Sequence, residues 1–396
     1  MKAIIEKPIS GGQIKAIPSK SMAHRLLIAA ALTRLNGSQC NLNIEKTSDD
    51  IQATVSGLES LFNDREIYCR ESGSTFRFLL PLAGVLGIEG DFYPEKSLVQ
   101  RPIWPLYDEL VSHGCKISNI GNIPIHIEGK LKGGEYQIPG SISSQYITAL
   151  LMALPLAEEN STLTIIGRLE SAPYVDMTLE VLKASGILIR KTQDGFEIPG
   201  NQKYYLNDDM AIEGDWSNAA FWFASMPYCD NIEVSGLDSA SSQGDKAIEK
   251  LVKEMYMFDE EGHMTIDVSD IPDLVPALVV AAAGSGKIVE VVGAQRLRLK
   301  ESDRIEAIID AIGALGGKAW ETETGLAIDG RAKLKGAVVD VKGDHRIAMM
   351  ASCLSSVAEG EITILNAQSV NKSYPSFFSD FKALGGKVRF ETEEEE

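Results

Sequence analysis

The sequence predicts an α/β protein of two domains, and three observations carry that expectation. The chain is 396 residues long, beyond the ~250–300 residues that one hydrophobic core serves before a chain splits. Its composition, 44% hydrophobic and 24% charged, belongs to a folded globular protein rather than to a disordered or fibrous one. Finally, a helix rich in small residues, set off by a polar turn and followed by a strand-like run, recurs along the chain.

Six such helices begin near Ser19-Lys20-Ser21, Gly73-Ser74-Thr75, Ser143-Ser144-Gln145, Asp215-Trp216-Ser217, Pro272-Asp273 and Gly343-Asp344-His345. Stretches such as ITALLMALPLA and RIAMMASCLSSVAEG are apolar on nearly every side, so these helices belong inside, unlike a surface helix with one apolar stripe. Each is followed by a run with strand character: CNLNI, DFYP, TLTIIG, NIEVSG, KIVEVVG and EITILN. A second, amphipathic helix comes next. Ile305, Ile308, Ile309, Ile312 and Leu315 make an apolar face opposite Glu306 and Asp310. That helix stops at Gly316-Gly317, and similar endings recur at Gly114, Gly186 and Gly385, where glycine closes a helix in the left-handed conformation. ILIRKTQDGFEI and KAWETETGLAID then read as hairpins.

The unit is therefore strand, buried helix, strand, amphipathic helix, strand, strand, with three units per domain. The last unit ends at Lys387-Val388-Arg389-Phe390 without its final strand, and Met1 to Ile9 is the segment predicted to supply it. On that count residues 19–212 form the first domain. Residues 1–18 with 213–396 form the second, and the acidic residues 391–396 form a disordered tail.

Several function classes are excluded. A formal charge of −18 argues against a nucleic-acid or anionic-membrane surface, which needs a broad basic footprint. The apolar stretches at 147–157 and 274–283 contain prolines and are shorter than the ~20 residues of a membrane span. The N-terminus lacks a secretion-signal h-region, so the chain is expected to be cytoplasmic. Cys40, Cys69, Cys115, Cys229 and Cys353 are scattered without C-x-x-C spacing and read as free thiols, not as disulfides or zinc ligands. Walker, dinucleotide and H-E-x-x-H motifs are missing from the sequence.

What remains is small-anion chemistry. Helix N-termini bind phosphate and carboxylate through unpaired N–H groups, although Ser and Thr at any one start are equally ordinary caps. Lys20, Arg25, Arg77, Arg101, Arg304, Arg346 and Lys372 lie at or just beyond these starts. Together they point to a multiply anionic substrate. Asp273 and Glu301 are candidates for proton transfer because a carboxylate among cations gains proton affinity when a bound anion cancels the field. Spacing alone reads Asp273 as an N-cap and Glu301 as the start of a capping arrangement with Arg304. His345 reads as a cap or as an orienter of Arg346, and His113 and Cys115 as packing at a helix end.

These segments resemble the EPSP synthase family of 3-phosphoshikimate 1-carboxyvinyltransferases over nearly the whole chain. The resemblance rests on Lys20-Ser-Met-Ala-His-Arg25, Ser72-Gly-Ser-Thr-Phe-Arg77, Arg101-Pro102, Ser143-Ser-Gln145, Ser171-Ala-Pro-Tyr174, Ile271-Pro-Asp273, Lys300-Glu-Ser-Asp-Arg304, Asp344-His-Arg346 and Lys372-Ser-Tyr-Pro375 in the family's order. It implies a two-domain inside-out α/β barrel of six βαβαββ units, three per domain, whose helix N-termini face a cleft that closes on ligand. The implied reaction moves the enolpyruvyl group of phosphoenolpyruvate to the 5-hydroxyl of shikimate 3-phosphate, without metal or organic cofactor, in a chain expected to be a monomer.

By the same resemblance, Lys20, Ser21, Arg25, Ser143, Ser144, Gln145, Ser171, Tyr174, Asp273 and Lys300 would hold shikimate 3-phosphate. Lys20, Gly73, Arg101, Gln145, Arg304, Arg346 and Lys372 would hold phosphoenolpyruvate. Asp273 would take the hydroxyl proton, Glu301 would protonate the methylene carbon, and Lys20 would share the proton traffic. The alternatives are a UDP-N-acetylglucosamine enolpyruvyl transferase, whose reactive-cysteine loop is not evident, and a non-catalytic anion binder. Two positions depart from the family's pattern: Glu71 stands where many members have asparagine, and His24 replaces another frequent asparagine.

Overall fold

The computed structural model describes residues 1–42, 44, 47–207, 210–257 and 262–391. The chain divides into two compact units, a continuous one, Lys20–Ile212, and a discontinuous one made of Met1–Ser19 with Glu213–Glu396. Ser19 goes with the discontinuous unit, where its N–H bonds the Glu213 carbonyl at 2.8 Å and Asp215 N–H bonds the Ile17 carbonyl at 2.8 Å.

The six helix starts fall where the sequence places them. Lys20–Leu35, Gly73–Leu86 and Ser144–Ala153 lie in the continuous unit. Trp216–Ser225, Val275–Ala282 and His345–Cys353 lie in the other. Burial is nearly all-round: every residue of Val275–Ala282 and of His345–Cys353 is buried. Each fully buried Val, Leu or Ile contributes ~1.5–3 kcal/mol relative to exposure. These helices are accordingly the centres of two separate apolar cores, one per unit.

Four sheets repeat one topology. Glu66–Arg70 runs parallel to Gly90–Pro94 with the Gly73–Leu86 helix as crossover, and the hairpin Cys115–Ser118 and Ile125–Gly129 then adds antiparallel, its second strand innermost. The same order appears in Glu135–Pro139, Ser161–Ile166, Gly195–Ile198 and Arg190–Lys191, and in His263–Asp267, Ile288–Val292, Leu326–Asp329 and Ala319–Glu321. In the fourth sheet the place of the hairpin's inner strand is taken by Lys2–Lys7, which pairs antiparallel with both Ile362–Leu365 and Lys387–Glu391. The chain start therefore completes the last unit. Glu391 closes that strand, opposite Lys2, instead of opening a tail; residues 392–396 lie outside the described residues.

The remaining two units are abbreviated. Gly11–Lys15 and Asn231–Ser235 form a two-stranded parallel pair. Of the strand expected at 40–44, residues 40–42 and 44 are not in a strand, and Asn43 lies outside the described residues. Asparagine, present here at Asn41, is a poor strand former, and among the described residues no neighbouring strand offers this segment a ladder. The amphipathic helix is observed as Arg304–Ala314, with Ile305, Ile308 and Ile312 buried. Gly316 follows it at φ +77°, a backbone region that a side chain would strain. Among the described residues, no helix is long and apolar enough to cross a membrane. All five cysteines are free thiols.

Candidate active site

In the continuous unit, three buried helices present their N-termini with the expected residues. Lys20 opens the first, and its Nζ lies 2.7 Å from Asp50 Oδ2. One turn later Arg25 is 3% exposed. Its Nε donates to Thr178 Oγ1 at 2.8 Å, Nη1 to the Ser21 carbonyl at 2.7 Å, and Nη2 to Thr148 Oγ1 at 3.2 Å and the Tyr174 carbonyl at 2.9 Å. The guanidinium also lies 5.5 Å from the Phe78 ring centroid. Each of these partners is neutral. Burial pulls the Arg25 pKa down to about 10, so the group is still a cation at pH 7, buried with no carboxylate paired to it among the described residues. A buried charge in that condition is costly until an anion reaches it.

Gly73 begins the second helix, capped by Ser72, whose Oγ accepts the Thr75 N–H at 3.2 Å. A Cβ on Gly73 would stand 3.2 Å from both Arg101 Nη1 and Arg77 Nη1 and 3.5 Å from Gln145 Oε1. Two guanidiniums and an amide thus converge on a turn left open by glycine. Gln145 ties the third helix to this turn: its Oε1 accepts from Arg77 Nη1 at 2.6 Å and its Nε2 donates to Ser74 Oγ at 3.1 Å. Ser143 caps that third helix and Ser144, its first residue, is buried. Ser171 sits buried at φ +55° before Ala172–Ala184, the helix that carries Tyr174.

The discontinuous unit gathers charges of both signs. Arg304 is 1% exposed and reaches three carboxylates: Nε to Asp344 Oδ2 at 2.8 Å, Nη1 to Asp273 Oδ1 at 2.9 Å and Nη2 to Glu301 Oε2 at 2.8 Å. Lys300 Nζ approaches Asp273 Oδ1 at 3.2 Å, Arg346 Nη2 approaches Asp273 Oδ2 at 3.4 Å, and Lys372 Nζ lies 3.5 Å from Glu301 Oε1. Burial raises the Asp273 pKa, but Arg346, Lys300 and Arg304 outweigh it and hold the carboxyl well below the usual range. Burial depresses Lys300, with Asp273 opposing. For Arg304 the opposite balance holds, since Asp344, Glu301 and Asp273 overcome desolvation and raise it.

Neither carboxylate is a cap. Asp273 lies inside the short 3-10 turn Pro272–Leu274, and the helix after Glu301 is capped by Asp303, whose Oδ1 accepts from Ile305 and Glu306 N–H. The capping alternative for both residues fails because other residues occupy the capping positions. His345 does not cap its helix either, because Asp344 does. His113 and Cys115 pack as expected: the His113 ring stacks on Tyr136 at 3.8 Å and Cys115 is 2% exposed.

Sequence reasoning missed Asp50, Asp245 and any role for Asp344. Asp245, in the turn Gly244–Lys246, accepts a hydrogen bond from Ser217 Oγ and leaves Oδ1 buried without a partner among the described residues. Burial and nearby Asp273 push its pKa up to about 7, against Arg346 and Ser217. Glu89, His126 and Glu128 bring ligand atoms within 4.8 Å of one another. They belong to neither cluster: His126 pairs with Asp91 and Glu89, and Glu128 with Lys116.

The sequence model of the EPSP synthase (3-phosphoshikimate 1-carboxyvinyltransferase) family matches residues 38–381. A 3-phosphoshikimate 1-carboxyvinyltransferase of Clostridium kluyveri is 39% identical over 411 residues, covering 95% of this chain and 96% of the relative. The chain belongs to the EPSP synthase family. A second family relative, from Clostridium acetobutylicum, is 38% identical over 415 residues with 95% and 96% covered. Among solved structures, an EPSP synthase from Acinetobacter baumannii superposes with a TM-score of 0.78 at 20% identity, covering 99% of this chain and 100% of that one. The enolpyruvyl transferase NikO from Streptomyces tendae gives 0.70 at 14% identity, with 98% of each covered. At these identities the structures speak for the fold, which is that of the enolpyruvyl transferases.

Proposed function

We propose that this chain transfers the enolpyruvyl group of phosphoenolpyruvate to the 5-hydroxyl of shikimate 3-phosphate, releasing phosphate. The observation that carries the residue assignments is Arg25, a buried cation that, among the described residues, is held by hydroxyls and carbonyls. A phosphate ester supplies the missing charge, and Lys20, Ser21, Ser143, Ser144, Gln145, Ser171, Tyr174, Asp273 and Lys300 complete the set assigned to shikimate 3-phosphate. Phosphoenolpyruvate is assigned to Lys20, Gly73, Arg101, Gln145, Arg304, Arg346 and Lys372. Four of the five Arg304 N–H groups already serve carboxylates, so its main part is to orient Asp273 and Glu301.

The chemistry follows from the field around those two carboxyls. Asp273 is a poor base while Arg346, Lys300 and Arg304 surround it. Bound anions draw on the same cations, weaken their hold and raise its proton affinity. Asp273 then takes the 5-hydroxyl proton as that oxygen bonds to C2 of phosphoenolpyruvate, and Glu301, entering the step as the neutral acid, delivers its proton to C3. In the second step Glu301 takes a proton back from C3, the double bond reforms, and the C2–O bond to phosphate breaks as the leaving phosphate takes the proton held by Asp273. Each step conserves charge within the cluster.

Phosphate release with each acceptor tests this reading. It predicts turnover that requires both phosphoenolpyruvate and shikimate 3-phosphate. Turnover with UDP-N-acetylglucosamine alone, or ligand binding without turnover, would contradict it.

A further inference from the structure

His24 stands 1% exposed on the Lys20–Leu35 helix, one turn after Lys20, and the chemistry assigned to the site does not use it. Its Nδ1 lies 2.7 Å from Thr54 Oγ1, Thr54 Oγ1 lies 2.6 Å from Thr75 Oγ1, and Thr75 donates to Ser72 Oγ at 2.7 Å. The direction of this chain can be read from its far end. Thr75 spends its single proton on Ser72, so Thr54 must donate to Thr75. Thr54 then has only lone pairs to offer, and His24 must donate Nδ1–H to it. The imidazole is therefore the Nδ1–H tautomer with a bare Nε2, and Nε2 is indeed buried with no partner among the described residues. Burial lowers the His24 pKa to about 3, with Asp50 opposing and Lys20 and Arg25 adding to the effect, so the ring is neutral throughout the working range.

Two rungs join the same pair of helices. Lys20 and His24 are four residues apart on Lys20–Leu35, and Asp50 and Thr54 are four apart on Asp49–Phe62. Residues at that spacing share a helix face. The Lys20–Asp50 ion pair at 2.7 Å and the His24–Thr54 hydrogen bond at 2.7 Å thus fix the axial register of one helix against the other. From Thr54 the chain continues through Thr75 to Ser72, the cap directly before Gly73.

We propose that His24, acting through Thr54, is a positioning residue for the phosphoenolpyruvate side of the site, holding Lys20 and the Ser72–Gly73 turn in one mutual register. It touches no substrate, and the assignment depends on phosphoenolpyruvate being the ligand of Lys20, Gly73, Arg101 and Gln145, as proposed for the site. Asparagine, which also carries an N–H donor, satisfies the same requirement at position 24; an apolar residue does not.

The test is steady-state kinetics of Thr54→Val, His24→Leu and His24→Asn, with KM for each substrate determined separately. One buried hydrogen bond is worth about a tenfold change in an equilibrium constant. Thr54→Val and His24→Leu are expected to raise KM for phosphoenolpyruvate about tenfold, with a distinctly smaller rise for shikimate 3-phosphate, with which Lys20 and Gln145 are shared. His24→Asn is expected to recover most of the loss. An equal rise in both KM values, no rise in either, or no recovery with asparagine would overturn the proposal. Should the apolar variants fail to fold, ring-nitrogen NMR of the unsubstituted chain decides. Nδ1 protonated and Nε2 bare, unchanged between about pH 5 and 9, supports the chain of donors, and a protonated Nε2 refutes it. Absence of turnover in the unsubstituted chain is a distinct failure, that of the functional reading itself.

Discussion

Arg25 and Arg304 are both buried guanidiniums, yet they are held in opposite ways. Arg25, in the continuous unit, is surrounded by two threonine hydroxyls and two backbone carbonyls. Arg304, in the discontinuous unit, is clamped by Asp273, Glu301 and Asp344. Neutral acceptors orient a cation without neutralising it, so Arg25 keeps its full attraction for an anion. Carboxylates neutralise their cation, so the cations around Arg304 act chiefly on Asp273, whose carboxyl they hold well below the usual range. On the proposed assignment, the contrast separates a half that receives charge from a half that moves protons. It also shows why counting cations from a sequence is a weak guide to which of them bind ligand.

The largest expected effect lies in the proton-moving half. Glu301→Gln should lower kcat by about 10³-fold while shikimate 3-phosphate binding, measured by calorimetry, stays near the parent value. Equal losses of binding and turnover would erase the contrast. Asp245→Asn probes the same cluster through stability. The Asp245 carboxyl is raised from 3.8 to about 7 in the fold, so between those values the folded state holds a proton that the unfolded state has lost. Stability therefore falls as pH rises from about 4 to about 7 and is flat beyond. Urea denaturation should show the variant gaining on the parent across that window, by up to about 4 kcal/mol, with no gain at pH 4. A pH-independent difference would mean that Asp245 does not titrate there.

Two predictions address the charge-receiving half. Arg25→Ala should weaken shikimate 3-phosphate binding about 10- to 100-fold, with KM for phosphoenolpyruvate much less changed. Gly73→Ala puts a Cβ 3.2 Å from Arg101 Nη1 and Arg77 Nη1, so both guanidiniums must shift by a few tenths of an ångström. KM for phosphoenolpyruvate should rise roughly 3- to 10-fold with little change for the other substrate. A larger effect on shikimate 3-phosphate would reassign the Gly73 turn.

Much of the fold was legible because it rests on local patterns. All-round apolar helices such as Val275–Ala282 and a missing last strand are visible in sequence, and the latter led directly to Lys2–Lys7. The absence of a strand at 40–42 was not, because C-N-L-N alternates like a strand while its pairing partner is set by tertiary structure. At the site, residue types announced the cations but not their partners. Asp50, Asp245 and Asp344 look like any other acid in a chain carrying 56 of them, and only burial and distance distinguish them. The direction of the His24–Thr54–Thr75–Ser72 chain was equally hidden, since it depends on which hydroxyl has already used its proton.

The central claim is that an unneutralised buried cation in the continuous unit awaits the phosphate of the acceptor. Calorimetric titration of shikimate 3-phosphate and of shikimate into the parent and Arg25→Ala proteins, with phosphoenolpyruvate left out, tests it most directly. The account predicts that the parent strongly prefers the phosphorylated ligand and that Arg25→Ala abolishes most of that preference. An undiminished preference in Arg25→Ala would contradict it.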